Sequence, residues 1–471
     1  MEYPIFEFPI AGGSLLIAAI AIFHVYLAQF SIGAAVLVAL AEWRANRAGD
    51  LETRAFLRKY AFLILAVPYV IGTATGVGIW LAISVVQPRA TSILIHQFVW
   101  AWASEWVVFI IEVTAIYLYF YTWDRIRPSA HNAIGWVLAA ASWLTLPIIN
   151  AILSFMLTPG GWRPRDGWAF WKAFFNPLWL PTTGIRTLVA LALGGAGAIL
   201  LLAFAKGVSQ ATRERISRLA YAMIMPVWLC VPLAVWVYAV LPARAQGYIM
   251  GGAAVMQLFF FFGAALFIAL AVSAAVAMAR RDYTSSPSRA VLVALVAFVA
   301  YGSFEFVREG IRKPYIIDGF MFSTGVTTAL ADGIDRRATY ERVRRDGVLT
   351  AAPWAVPEGK SPGDLTSEEK GRAVYAAACR ACHTLDGYNA LRPIVCGWSV
   401  ANLLHMVDHA NQMRPMMPPF PGTQDEKEAL VAYLASINSS SPCAAGFQPS
   451  PASTEGGLRR SWLAEQGRWG P

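Results

Sequence analysis

Long apolar runs separated by short polar loops dominate the chain from about residue 14 to residue 307. A helix that crosses a bilayer needs roughly 20 mostly apolar residues, because its backbone groups must bond internally in lipid. Eight runs meet that length, at about 14–41, 60–86, 94–122, 133–157, 183–205, 219–241, 250–279 and 289–307. The first is longer than the apolar core of a signal peptide and is expected to be a span. Past residue 307 the pattern changes. The stretch Tyr315 to Leu330 is only moderately apolar, and Asp318 with several Gly, Ser and Thr residues argues against a ninth span. Between about 365 and 440 the spacing becomes that of short amphipathic helices. Thr366-x-x-Glu369 and Thr423-x-x-Glu426 are capping-box signatures, the second opening a helix to about Ile437. From 441 the chain is rich in Pro, Ser and Gly, a composition of disorder. The expected architecture is all-α: an integral membrane bundle of about eight helices over 1–325, a linker at 326–364, a small α-helical domain at 365–440 and a tail at 441–471.

Composition and charge sharpen this picture. Only 14% of the 471 residues are charged, against roughly one quarter in soluble domains, and 57% are hydrophobic. The net charge of +9 is not a nucleic-acid signal, because most of it lies in short loops between spans. The loops after the first, third, fifth and seventh spans hold Arg44, Arg47, Arg54, Arg58, Lys59, Arg125, Arg127, Lys206, Arg213, Arg215, Arg218, Arg280, Arg281 and Arg289. The opposite loops hold Arg89, Arg163, Arg165, Lys172 and Arg244. The richer side is expected to be cytoplasmic, which puts the N-terminus and everything after the eighth span outside. The basic run from Asp335 to Asp346 is on that outer side, a tolerable exception because long translocated segments largely escape the charge rule.

The small domain contains Cys379-Arg380-Ala381-Cys382-His383. Two thiols at this spacing can form thioethers to one haem while the adjacent imidazole reaches its iron. A zinc site would want a second ligand pair at comparable spacing, and a redox dithiol would want a βαβ setting; the sequence offers neither. One covalent haem c is therefore expected, with His383 as one axial ligand. Downstream lies Met413-Arg414-Pro415-Met416-Met417-Pro418-Pro419-Phe420, and a thioether opposite His suits electron transfer by raising the potential. The arrangement resembles class I cytochrome c, in which the distal Met often precedes a Pro. That resemblance points to Met417, with Met416 in reserve and with His405 and His409 as rivals that equally well form a solvated helix face. Cys396 and Cys443 would share an oxidising compartment, but their pairing needs a separation the sequence does not set. Cys230, inside an apolar run, reads as a small core residue.

Ionisable groups inside spans are costly and mark functional sites by default. They are His24, Glu105, Glu112 and Arg186, with Glu305, Arg308, Glu309 and Arg312 near the outer end of the eighth span. His24, Glu105, Arg186 and Glu309 fall within about two helical turns or so of the outer surface, a common depth that suits one buried site; pairing among themselves is the plainer alternative.

At these residues the chain resembles subunit I of the cytochrome bd quinol oxidases, over roughly 14–325. Phe23-His24 matches an early haem-binding His, and Gly72-Thr73-Ala74-Thr75-Gly76 a Gly-x-Ala-Thr-Gly turn. Glu112 fits one of two acidic residues by its distance from Trp123-Asp124-Arg125, while Glu105 is one position off the other. Glu309-Gly310-Ile311-Arg312-Lys313-Pro314-Tyr315 keeps the Glu, Arg and Pro spacing of a stretch that supplies a haem-ligating Glu. The resemblance implies non-covalent haem b or d in the bundle, His24 and Glu309 as axial ligands, Arg312 on a propionate, and Glu105 and Glu112 carrying protons or shaping an oxygen site. It further implies a second membrane subunit, a lipid setting in a bacterial-type plasma membrane, and quinol or an external cytochrome c as donor. There are departures. The family's low-spin haem His falls at about Arg186, Met256 is a poor opposite ligand, the quinol-binding loop shrinks to about Pro242–Gly247, and the haem c domain replaces the last span. Two readings stay open: an oxygen-reducing oxidase whose electrons enter through the external haem c, and a module relaying electrons between the quinone pool and an external partner without oxygen reduction.

Overall fold

The computed structural model describes residues 3–281, 286–328 and 339–439. Eight helices among them are long and apolar enough to cross a membrane: α1 Gly12–Ala48, α2 Leu51–Val86, α3 Val99–Tyr121, α4 Pro128–Phe155, α5 Trp179–Phe204, α6 Gln210–Val240, α7 Ala254–Arg280 and α8 Pro287–Ile311. Several begin where side-chain chemistry dictates. Asp50 accepts from Thr53 N at 3.0 Å at the head of α2, and Ser209 and Ser286 cap α6 and α8 in the same way. Pro128 and Pro287 occupy first-turn positions, where a missing N–H costs nothing.

The central helix α1 explains where the cavity lies. Its inner half is fully packed, with Leu27, Phe30, Ala34, Leu37 and Val38 buried against α2, α4 and α5. Its crossing with α5 is backbone on backbone: a Cβ at Gly33 would fall 1.8 Å from the Ala190 carbonyl oxygen. The outer half of α1 is only half-buried, and Ile17, Ala18, Ala21 and Val25 line open space. The bundle is therefore solid at one end and hollow at the other.

The hollow end is roofed. A short hairpin, β1 Tyr315–Ile317 and β2 Met321–Phe322, follows α8 where the sequence denied a ninth span. It packs Ile316, Ile317, Phe320 and Met321 on Phe98, Phe155 and Trp162. Beyond it stands the small helical domain, with α9 Ser367–Ala378, α10 Val400–Asp408 and α11 Gln424–Ser439 around Val374, Tyr375, Leu403, Leu430 and Leu434. Both expected capping boxes form, Thr366 with Glu369 and Thr423 with Glu426. The segment just before this domain is folded onto it: Glu426 accepts from Val348 N at 2.8 Å and Leu349 N at 2.9 Å, and Leu349 joins the domain core. The proposed tail 441–471, including Cys443, and part of the basic 335–346 run lie outside the described residues; Cys396 is buried and disulfide-bonded.

Candidate functional site

One cavity of about 1440 Å³ runs from the hollow end of the bundle into the small domain. An ordinary small-molecule cleft is roughly 300–1,000 Å³, so this one has room for more than one large group. Its walls include His24, Glu105, Glu112, Arg186, Glu309 and Arg312 from the membrane side. From the other side they include Cys379, Cys382, His383, Met416 and Met417. The sequence placed these residues in two separate sites; the fold joins them in one chamber.

His24 is oriented by a local distortion of α2. Pro68 brings no N–H to the helix, which widens into a π-turn over Val67–Gly72. There the Gly72 carbonyl accepts from His24 Nδ1 at 3.0 Å, with Thr75 Oγ1 at 3.2 Å. A methyl at Gly76 would sit 3.0 Å from the imidazole Cε1. Nδ1 is thereby the protonated nitrogen, and Nε2 has no partner among the described residues. His383 has the same arrangement: Nδ1 donates to the Asn389 carbonyl at 3.0 Å, while Asn389 Nδ2 holds the Cys382 carbonyl at 2.8 Å. A metal-binding imidazole characteristically donates its second N–H in this way. Burial pushes the His383 pKa down, which keeps the ring neutral, and pushes the Cys379 thiol up to about 12. Cys379 and Cys382 are not joined in a disulfide, and no group of three or more His, Cys, Asp or Glu among the described residues is placed to hold a bare metal ion.

The two methionines separate. Met416 packs on the membrane-side cluster of Met256, Val307 and Ile311. Met417 lines the chamber and does not join that cluster. His405 on α10 and His409 at its C-terminal cap lie outside the chamber walls, their rings tilted against each other at 4.3 Å. Met256 is buried, with its thioether against the Gly310 backbone.

The carboxylates divide by partner. Glu112 is buried and accepts from the Tyr69 hydroxyl at 2.5 Å, with Ser142 Oγ 3.2 Å from that hydroxyl. Glu105, two turns earlier on α3, reaches the chamber half-buried. Glu305 is the anion that Arg186 meets, at 2.6 Å, and it also bonds Arg308 at 2.8 Å and the Tyr301 hydroxyl at 3.0 Å. Glu309 bonds Arg312 instead. Arg312 further donates to the Ile316 carbonyl at 2.9 Å, yet its Nε is buried with no partner among the described residues, as is Trp102 Nε1. Both residues also line the chamber, and buried donors left without a partner at its edge fit an acidic cofactor seated there. Sequence reading missed Tyr69, Ser142 and Asn389, which are neutral and unremarkable in a string. It also missed the buried pair Glu42 and His131, 2.6 Å apart at the solid end, though a Glu inside an apolar run was a usable signal.

Eight spans around an apolar chamber, closed by a helical domain that brings C-x-x-C-H to its mouth, define a haem-containing respiratory electron-transfer protein of the membrane. Residues 14–251, half of the chain, match the family described as cytochrome bd terminal oxidase subunit I, and the chain belongs to that family. Residues 366–434 match the family described as cytochrome c oxidase, cbb3-type, subunit III. The fold is similar to the structure of bd oxidase from Geobacillus thermodenitrificans, at 17% identity and a TM-score of 0.58, over 68% of this chain and 91% of that one. A comparison with curated proteins finds no match.

Proposed function

We propose that this chain is the haem-bearing subunit of a bd-like terminal oxidase that reduces oxygen with electrons entering through an external haem c. The observation that carries it is the single chamber holding two imidazoles, His24 and His383, each with Nδ1 spent on a backbone carbonyl and Nε2 open. Iron porphyrin supplies electron transfer where both axial positions are filled, and oxygen binding where one is open. Cys379 and Cys382 would tether one haem, with His383 and Met417 as its axial pair. His24 and Glu309 would ligate haem b or d in the bundle, and Arg312, which lines the same chamber, would hold a propionate.

Oxygen reduction to water consumes a proton for every electron. Glu112, with Tyr69 and Ser142, forms a buried hydrogen-bonded group, and it lines the same chamber as Glu105 and His24. Glu105 and Glu112 are assigned proton delivery. Electron delivery by haem c rather than at a quinol loop is supported by the Pro242–Gly247 connection. It is a single short helix over Ala243–Gly247, with Arg244 clamped on Asp318 and the Lys313 carbonyl. The excess of Arg and Lys in the loops at the other end of the bundle supports a position of the small domain outside a plasma membrane. A second membrane subunit would complete the complex.

Carbon monoxide and an oxygen electrode test the assignment together. The purified complex with a reduced donor should consume oxygen, and its reduced spectrum should shift under carbon monoxide. His24→Ala should abolish both while leaving the covalent haem signal. Wild-type oxygen consumption by that variant overturns the ligand assignment. A wild-type protein with no carbon monoxide shift is a relay without oxygen chemistry.

A further inference from the structure

The haem-binding loop of the small domain is seated on the membrane bundle by a strap formed by residues 5–14. Both residues between the two motif cysteines are engaged. Arg380 donates to Glu7 at 3.0 Å and to the Ile5 carbonyl at 2.8 Å, and the Ala381 carbonyl accepts from Ser14 Oγ at 3.1 Å. Just past His383, Tyr388 N donates to the Ile10 carbonyl at 2.7 Å. Gly387 lies so close that a Cβ there would fall 2.1 Å from the Ile10 oxygen and 2.6 Å from that of Pro9. The strap is itself fixed to the bundle, because Phe6 N donates to the Val85 carbonyl at 2.9 Å at the outer end of α2, and Ile5 is buried. A second tie closes the far side, where Tyr340 N donates to Thr327 O at 2.8 Å beside the hairpin and the Tyr340 hydroxyl to the Phe420 carbonyl at 3.2 Å.

These contacts bear on how electrons arrive. A domain that swings on a linker between an outside donor and the membrane would leave its redox loop exposed and its neighbours interchangeable. Here four separate bonds and one backbone contact hold the C-x-x-C-H loop and the turn after it against residues of α1 and the strap, and the loop opens into the chamber that contains His24. Backbone carbonyls and a glycine without clearance specify one seat, not a family of them.

We propose that the N-terminal strap locks the haem c domain as a stationary internal donor, with Glu7 and Arg380 as positioning residues that set the haem c loop over the bundle. The functional half of this statement rests on haem c being the electron donor to the bundle; the docking half does not. External reductant would then meet the outer surface of an already docked domain, and transfer into the bundle would need no domain motion.

Two measurements on the full chain in detergent keep the halves apart. Hydrogen exchange reads docking alone: the amide of Phe6, which ties the strap to the bundle, and that of Tyr388, which ties the small domain to the strap, should be protected in the wild type, and Gly387→Ala should expose Tyr388. Rapid exchange at these amides in the wild type overturns the lock. Flash reduction of haem c reads transfer. Glu7→Arg and Arg380→Glu should each slow electron loss from haem c about tenfold, the scale of one charge-assisted hydrogen bond, at unchanged covalent haem content and haem c potential. The double variant should recover the wild-type rate. Single variants at the wild-type rate, or a double variant as slow as the singles, overturn the positioning role. Protected amides with no transfer in any variant uphold the lock and overturn the donor reading instead.

Discussion

Glu305 is surrounded by three donors, Arg186, Arg308 and the Tyr301 hydroxyl, all inside the apolar end of α5 and α8. Its side chain and that of Arg186 are about one-tenth exposed. Removing one member of a buried ionic group costs more than removing all of it, because a stranded charge keeps its desolvation penalty. Glu305→Ala should therefore destabilise the protein by about 3–5 kcal/mol, read as a lower unfolding midpoint in detergent. Combining it with Arg186→Met should return part of that loss, and equal midpoints for the single and double variants would show the group to be unpaired. At this scale the string was half legible. Every ionisable residue in the spans is an obvious candidate by cost alone, but which carboxylate meets which guanidinium depends on helix rotation. Glu305 and Glu309 are one turn apart; Arg312, three residues on, meets the second locally, but only the packed bundle gives Arg186 to the first.

Helices carry the next set of decisions. Thr366 and Glu369 form a reciprocal cap on α9, the helix that leads directly into Cys379. Substituting an N-cap threonine by alanine costs about 1 kcal/mol, so Thr366→Ala should lower the unfolding midpoint of the haem c domain, followed at its Soret band in the full chain. The acid limb has a defined sign. The Glu369 carboxyl is held down to about 2, first by the hydrogen bond from Lys360 and then by the Thr366 backbone N–H, against an ordinary value of 4.5. A depressed carboxyl contributes fully above the unfolded value, so the cap is intact at neutral pH and is lost as pH falls from 4.5 toward 2. Glu369→Gln should flatten that part of the pH profile; an unchanged profile would remove the cap from the account. Capping boxes and spans are local patterns and were readable. The π-turn at Val67–Gly72 was not: Pro68 announces a disturbance, but that it aims a carbonyl at His24 needs α1 alongside.

For the whole molecule, the uneven distribution of Arg and Lys is the basis of the proposed orientation, and the contacts of the strap put the small domain at the same end of the bundle as the N-terminus. Arg342 and Arg345 are among the most exposed cations of the segment preceding that domain. Protease added to right-side-out vesicles should cut there and release a haem-staining fragment, while inside-out vesicles should protect it. The reverse pattern would overturn the assigned topology. The even number of spans makes this outcome collective: no single loop decides it.

Apolar length, turn chemistry and the C-x-x-C-H spacing act over a few residues, and so the eight spans, the capped helices and the tethering motif were fixed by sequence alone. The chamber was decided only in three dimensions. It exists because α1 packs tightly over its inner half and loosely over its outer half, and because a strap and a hairpin seat the small domain on the opening. Such contacts join residues hundreds of positions apart, Ser14 with Ala381 and Glu7 with Arg380, and no local pattern encodes a distance of that kind.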